Sequence, residues 1–254
     1  MSATHPFWTS ASVDLAPEAP STAEFWSGVT GYRPSLVRDE DGEYVTLLPP
    51  AGDEHLFVQR LGTGSSRLHL DLHVGDPVEA AAQAGRLGAR VVAERGYVVM
   101  DSPGGLPFCF VTQSASEPAP AATWPGGHRS VVDQVCLDIP SSSYDAECDF
   151  WWRLTGWEPR VSADHAEFRR LVRPPGQPLQ LLLQRLGEAG GPVRAHLDLA
   201  TTDRAAETER HVALGAEVQE VADGWTVLVD PAGSAYCITD RTPGTRLLIE
   251  VSSD

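Results

Sequence analysis

The chain repeats itself, and a repeat on this scale constrains the architecture before any single residue is interpreted. Glu24-Phe25-Trp26 with Thr30-Gly31 returns 125 residues later as Asp149-Phe150-Trp151 with Thr155-Gly156. Gln59-Arg60-Leu61-Gly62 returns, also 125 residues on, as Gln184-Arg185-Leu186-Gly187. His69-Leu70-Asp71-Leu72 returns after 127 residues as His196-Leu197-Asp198-Leu199. An apolar-Asp-apolar word occurs four times, at Val13-Asp14-Leu15, Leu70-Asp71-Leu72, Leu137-Asp138-Ile139 and Leu197-Asp198-Leu199. The chain is a tandem duplication, and each copy is itself doubled.

Each copy reads as strand, helix and three strands, twice over. Ser12–Ala16 is a strand broken by Pro17 and Pro20. Ser21 is the N-cap of a helix with Phe25, Trp26 and Val29 on one face, ended by Gly31. Strands at Pro34–Arg38, Tyr44–Leu48 and His55–Arg60 complete the first module. Arg67–Val74 opens the second module, and Asp76 caps a helix reaching Leu87. Strands at Arg90–Ala93, Tyr97–Asp101 and Phe108–Thr112 follow. The second copy has opening strands at Gln134–Ile139 and Arg194–Ala200, with helices at Tyr144–Thr155 and Arg204–Leu214. A closing strand at Arg246–Val251 has no counterpart in the first copy. Between the copies, 114–128 is rich in Pro and small residues and reads as an exposed connector, with Trp124 pinning it to a domain surface. The expected division is 1–115, a linker at 116–128, and 129–254.

A chain of 254 residues holds two ordinary domains. No apolar run approaches the ~20 residues of a membrane span, and Met1–Thr9 lacks the features of a signal peptide. A cytoplasmic protein with no membrane contact is expected. Four cysteines without a C-x-x-C pair are not a disulfide framework. A net charge of -16 argues against nucleic acid, which needs a basic surface. All the basic residues are arginines, which with the Ala, Gly and Pro content suggests a high-GC bacterial genome.

This pattern resembles the vicinal-oxygen-chelate superfamily, which comprises glyoxalases, bleomycin-resistance proteins and extradiol dioxygenases. The residues nearest its signature are His69-Leu70-Asp71-Leu72 with Asp101-Ser102-Pro103-Gly104, and His196-Leu197-Asp198-Leu199 with Asp230-Pro231-Ala232-Gly233. Cys109 and Cys237, which follow them, are similar to a cysteine common in the actinobacterial glyoxalase-like branch. The resemblance covers nearly the whole chain. It implies an α+β fold of two tandem domains, each of two βαβββ modules forming a curved open sheet with the ligand inside.

Strand alternation then assigns the two faces. Leu68, Leu70, Leu72 and Val74 share one face, while His69, Asp71 and His73 share the other. Gln134, Cys136 and Asp138 align in the same way, as do His196 and Asp198. The expected lining of the first cup is Gln59, His69, Asp71, His73 and Cys109. That of the second is Gln134, Gln184, His196, Asp198 and Cys237. His73 has Ala200 as its counterpart, so three ionisable groups favour the first cup as the working site.

Metal-dependent members of the superfamily place His or Glu on the first and last strands of both modules. By that resemblance His69 and His196 are the retained histidines. The first-strand position falls on Thr9 or Ser10 in one copy and Gln134 in the other, and no carboxylate takes a usual ligand place. Glutamine is a poor ligand for iron or zinc, so no metal cofactor is expected; a divalent metal is the alternative.

Plainer roles compete at each residue. The histidines would hydrogen-bond across the sheet, Asp71 and Asp198 would pair with arginines, and the cysteines would be buried thiols. Phe25, Trp26, Phe150 and Trp151 belong to the core, while Trp152, Trp157 and Trp225 are free to line an aromatic site. The Asp101 and Asp230 words are turns, and His165 and His211 are surface residues.

The favoured function is metal-independent binding of a hydrophobic or aromatic small molecule, metabolite or antibiotic. The alternative is an enzyme, a lyase or isomerase or a metal-dependent dioxygenase, built around His69 or His196. A third reading is a ligand-free scaffold in which the duplication makes a pseudo-dimer. Either a monomer or a homodimer fits.

Overall fold

The computed structural model describes residues 5–36, 44–163 and 165–244. The first half runs β1 (Trp8–Leu15), α1 (Ala23–Thr30), β2 (Arg33–Pro34), β3 (Tyr44–Leu48), β4 (Leu56–Arg60), β5 (Arg67–His73), α2 (Pro77–Arg86), β6 (Arg90–Glu94), β7 (Val98–Asp101) and β8 (Pro107–Val111). After β9 (Ala122–Thr123), the second half repeats the order. It runs β10 (Arg129–Ile139), α3 (Tyr144–Thr155), β11 (Pro159–Val161), β12 (Phe168–Leu171), β13 (Gln180–Arg185), β14 (Arg194–Thr201), α4 (Arg204–Ala213), β15 (Glu217–Val221), β16 (Trp225–Val229) and β17 (Ala235–Thr239). The final strand expected at Arg246–Val251 lies outside the described residues.

Each half forms one sheet. The strand orders are β2-β3-β4-β1-β5-β8-β7-β6 and β11-β12-β13-β10-β14-β17-β16-β15. The opening strands of the two modules, β1 with β5 and β10 with β14, pair antiparallel at the centre. They are central because both their faces are covered; β1 is buried along its whole length. The fold is the one the duplicated βαβββ pattern implies.

Helix boundaries follow local chemistry. Asp76 accepts from the backbone N–H groups of Val78 and Glu79 ahead of Pro77 at the first turn, and Asp203 caps Ala206. α1 and α3 end on Gly31 and Gly156, with φ of 74° and 70°, a left-handed turn that side-chain-bearing residues disfavour.

The apolar faces of both sheets, with the helices, form one continuous core. Phe25 and Trp26 of α1 make edge-to-face contacts with Tyr236 of the other half, and Trp26 donates from its ring nitrogen to Asp230. Phe150 and Trp151 of α3 pack on Phe108 of the first half. Gly104 comes so close to the second half that a Cβ there would lie 2.5 Å from Val193, and its N–H donates to Glu147. The conserved-looking aromatic words of the repeat are therefore core residues, as expected, but each helps to fill the opposite half.

The connector is not simply exposed. Ala122 and Thr123 pair with β10, Pro118 bridges to Asp53, and Asp53 accepts from the N–H groups of Ser116 and Glu117. Trp124 does pin it: the ring donates to Ser130 and lies 3.5 Å beneath the Arg210 guanidinium. Arg210 also donates to the Gly28 and Val29 carbonyls at the end of α1.

Candidate functional site

Cross-strand register fixes what shares each concave face. In the first half, Ser12 lies opposite His69, Ser10 opposite Asp71, and Cys109 beside Asp71. In the second half, Cys136 lies opposite His196, Gln134 opposite Asp198, and Cys237 beside Asp198. A bulge at Asp133 shifts β10 by one residue. The residues standing directly across from the histidines are Ser12 and Cys136, while Ser10 and Gln134 stand across from Asp71 and Asp198. Gln59 pairs with Asp14 and Gln184 with Asp138 in the neighbouring strands. The expected linings are brought together in both halves.

The two histidines have the same surroundings. His69 donates from Nδ1 to Asp14 at 2.8 Å, and its Nε2 is 3.3 Å from Asp71. His196 donates from Nδ1 to Asp138 at 3.0 Å, and its Nε2 is 3.3 Å from Asp198. Burial alone would lower both pKa values. At His69 the charges of Asp14 and Asp71 outweigh it, and at His196 Cys136, Asp138 and Asp198 do; both are raised well above the ordinary value. Burial pushes the Cys136 thiol up to about 12, so it is neutral at pH 7 and the carboxylates carry the charge that holds His196 protonated. Asp71 and Asp198 therefore pair with histidines, not with the expected arginines. Arg67 reaches Asp14 instead.

His73 stays on the concave face but is committed within it. Its Nε2 meets the Ser10 hydroxyl at 2.9 Å and its Nδ1 donates to the Gln113 carbonyl at 2.8 Å, with the pKa lowered chiefly by burial. Both nitrogens are occupied, so it adds no free ionisable group to the first cup.

The second cup is richer. Gln180 donates to Gln134, which donates to Asp198, and Cys237 Sγ lies 3.5 Å from His196 Nε2. Cys136 Sγ lies 3.5 Å from Gln184. Asp198 Oδ1 is buried, with His196 Nε2 at 3.3 Å as its ion-pair partner. A cavity of about 540 Å³ between the halves is bordered by Trp26, Leu68 and Arg67 from one side and by Asp138 and His196 from the other. That volume is in the range of small-molecule sites, but Gln134, Gln184, Asp198, Phe168 and Trp225 do not line it, so it is a space beside the cup and not the cup itself.

At the mouth of this cup stands Trp225, one of the tryptophans expected to be free to line an aromatic site, with Phe168, which no sequence signal marks. Phe168 on β12 and Trp225 on β16 are separated by four strands in the sheet, yet their ring centroids are 6.0 Å apart, with His165 against both. In a flat sheet they would be about 24 Å apart at ~4.8 Å per strand, so the sheet curls until its flanks meet. Of the other tryptophans, Trp157 is buried and Trp152 is 41 % exposed on α3. His211, expected at the surface, is fully buried between Glu207 and Tyr236, because its face of α4 packs on β17. The words opened by Asp101 and Asp230 do form turns, directly after β7 and β16, and Asp230 also accepts the Trp26 link.

Two sets of donors could hold a cation: His69, Asp71 and Cys109, and Cys136, His196 and Asp198, each with ligand atoms within 4.8 Å of one another. The carboxylates of these sets are Asp71 and Asp198, the residues expected beside the histidines on the concave faces. Asp14 and Asp138 behind the imidazole Nδ1 atoms supply the outer support usual for metal-bound histidine. With sulfur donors and one histidine each, the sets fit a thiophilic divalent ion better than iron or manganese.

The glyoxalase-like domain model matches the chain twice, over residues 10–111 and 134–239. No curated protein matches by sequence. The fold is similar to that of a Mn(II)-bound glyoxalase from Novosphingobium aromaticivorans, at 16% identity and a TM-score of 0.62, covering 93% of this chain and 82% of that one. It is also similar to an extradiol ring-cleaving dioxygenase from B. fuscum, at 15% identity and a TM-score of 0.61 over 94% and 73% of the two chains. A 4-hydroxymandelate synthase variant from Streptomyces coelicolor gives 12%, 0.59, and 94% of each chain. At such identities these likenesses speak for the fold alone. The chain belongs to the glyoxalase-like domain family of the vicinal-oxygen-chelate superfamily, with the domain present twice in tandem.

Proposed function

We propose that the protein binds a small organic molecule in the concave face of its second domain, and that it does so without a resident metal. One observation carries this: Phe168 and Trp225 meet across a concave face that carries side chains able to hydrogen-bond, Gln134, Gln184, His196 and Asp198. Apolar walls with a few fixed polar groups are what a small-molecule site needs. The imidazolium of His196 already occupies the place between Asp138 and Asp198 and offsets one of the two carboxylates. The first cup is the weaker candidate because His73 is committed to Ser10 and Gln113. The acidic surface leaves nucleic acid an improbable partner. Among the described residues, no helix is long and apolar enough to cross a membrane.

The donor sets favour one other reading, a metal-assisted enzyme. His196, Asp198, Cys136 and Cys237 would hold the ion after losing their protons. A bound divalent cation would polarise a ligand oxygen as a Lewis acid. Elemental analysis of protein purified without chelator decides between the two. The binding reading expects no stoichiometric zinc, nickel, manganese or iron. About one metal per domain, lost in His196→Ala, would establish the enzyme reading instead.

A further inference from the structure

The second cup carries arginines that the first lacks. On β12, Arg169 and Leu171 share the core face, since Leu171 is fully buried and Arg169 stacks over the Tyr144 ring. Phe168 and Arg170 therefore point to the concave face. Register places Arg160, Arg170, Leu182, Cys136 and His196 in one row across five strands. From the far side, Arg241 donates to Thr239 and to Asp133 at the bulge. By the same registers, the first domain has Ser35, Thr46 and Gln113 where the second has Arg160, Arg170 and Arg241.

The charges in this cup do not cancel. His196 answers one of its two carboxylates. Asp133 is held by both Arg173 and Arg241, one cation more than it needs. Arg160 lies 3.7 Å from Glu158. Arg170 is half-buried and has neither a carboxylate nor a carbonyl partner among the described residues. Burial, then Arg241 and Arg160, lower its pKa, the mark of a guanidinium held among like charges. In a chain of net charge -16, such an arrangement is not a general surface property.

We infer that the ligand of the second cup is a ring-bearing organic anion, its ring under Phe168 and Trp225 and its carboxylate or phosphate on Arg170. A guanidinium offers two parallel donors to either group, and Phe168, two residues from Arg170 on the same face of β12, supplies an apolar wall with Trp225 edge-to-face against it. Leu182, between Arg170 and Cys136 in the row, gives the ring an apolar floor. This rests on the second cup being the binding site.

The test compares 2-naphthoate and 2-naphthyl phosphate with the neutral isostere 2-naphthamide, by calorimetry and tryptophan fluorescence on the full chain. At least one charged probe should bind the wild-type protein about tenfold or more tighter than the amide, the scale of a charge-assisted hydrogen bond. Arg170→Gln should remove that preference and leave amide affinity unchanged. Arg170→Lys, which keeps the charge and serves as the folding control, should restore part of it. Trp225→Leu should weaken all three probes. Equal binding of acid and amide, indifferent to Arg170→Gln but weakened by Trp225→Leu, overturns the anion and keeps the cup. Binding indifferent to both substitutions overturns both. Failure of both charged probes to bind the wild-type chain also overturns the inference.

Discussion

His196 donates from Nδ1 to Asp138 at 3.0 Å while Asp198 stands 3.3 Å from its other nitrogen. The same three residue types, as Asp14, His69 and Asp71, repeat the arrangement in the first domain. The duplication has preserved an imidazolium between two carboxylates, although most neighbouring polar groups have diverged.

The first prediction concerns these pairs. An unfolded histidine titrates near 6.5, and both folded values are raised well above that. Their contribution to stability is full below about pH 6.5 and is lost as pH rises through the folded values. Asp138→Asn removes one carboxylate and should bring the His196 titration down towards the ordinary value; Asp14→Asn should do the same for His69. Histidine titrations followed by NMR read this directly. A His196 titration that does not move in Asp138→Asn would show that the carboxylate does not hold the proton.

Much of this was legible in sequence, and the reason is periodicity. Alternation along β5 and β14 assigned His69, Asp71, His196 and Asp198 to one face correctly, because strand faces follow from spacing alone. What escaped were properties of pairing. The bulge at Asp133 shifts β10 by one residue against β14, and no local signal marks it. The approach of Phe168 to Trp225 depends on the curl of a whole sheet. Phe25 and Trp26 were readable as core, but not as core for the other domain's β17. His211 sits on a helix with a polar composition, and only its packing against Tyr236 buries it.

Acid should destabilise the protein through a different histidine. His55 is buried, its Nε2 meeting the Val132 carbonyl, and burial lowers its pKa to about 4. The unfolded chain takes up the proton near 6.5 and the folded one only near 4. Stability present above pH 6.5 is therefore lost as pH falls towards 4, by up to about 3 kcal/mol. Urea unfolding of the wild type and His55→Gln at pH 7 and pH 5 should show a smaller loss in the variant. Equal losses would place the acid sensitivity elsewhere.

The cysteines should behave as inert thiols. All four are buried and unpaired with one another. Burial raises each pKa, with His69 opposing it at Cys109 and His196 at Cys237. Native protein at pH 7 should react slowly with a disulfide reagent such as DTNB, and all four groups should react once it is unfolded. Rapid native-state reaction lost in Cys237→Ser or Cys109→Ser would instead reveal a thiolate at the cups.

The exchange of aromatic residues between domains predicts a single unfolding unit. Phe108 is fully buried against Phe150 and Trp151 of the second half, while Trp26 is buried against Tyr236 and bonded to Asp230. Truncating Phe108 leaves a cavity shared by both halves and should cost about 3–5 kcal/mol. Because the loss falls on a joint core, it should lower the stability of the second domain as much as that of the first. The measurement is chemical unfolding with one spectroscopic probe in each domain, on the wild type and Phe108→Ala. Coincident transitions that shift together are expected. A wild-type chain that unfolds in two steps, or a variant in which only the first domain's probe moves, would mean that each half carries its own independent core.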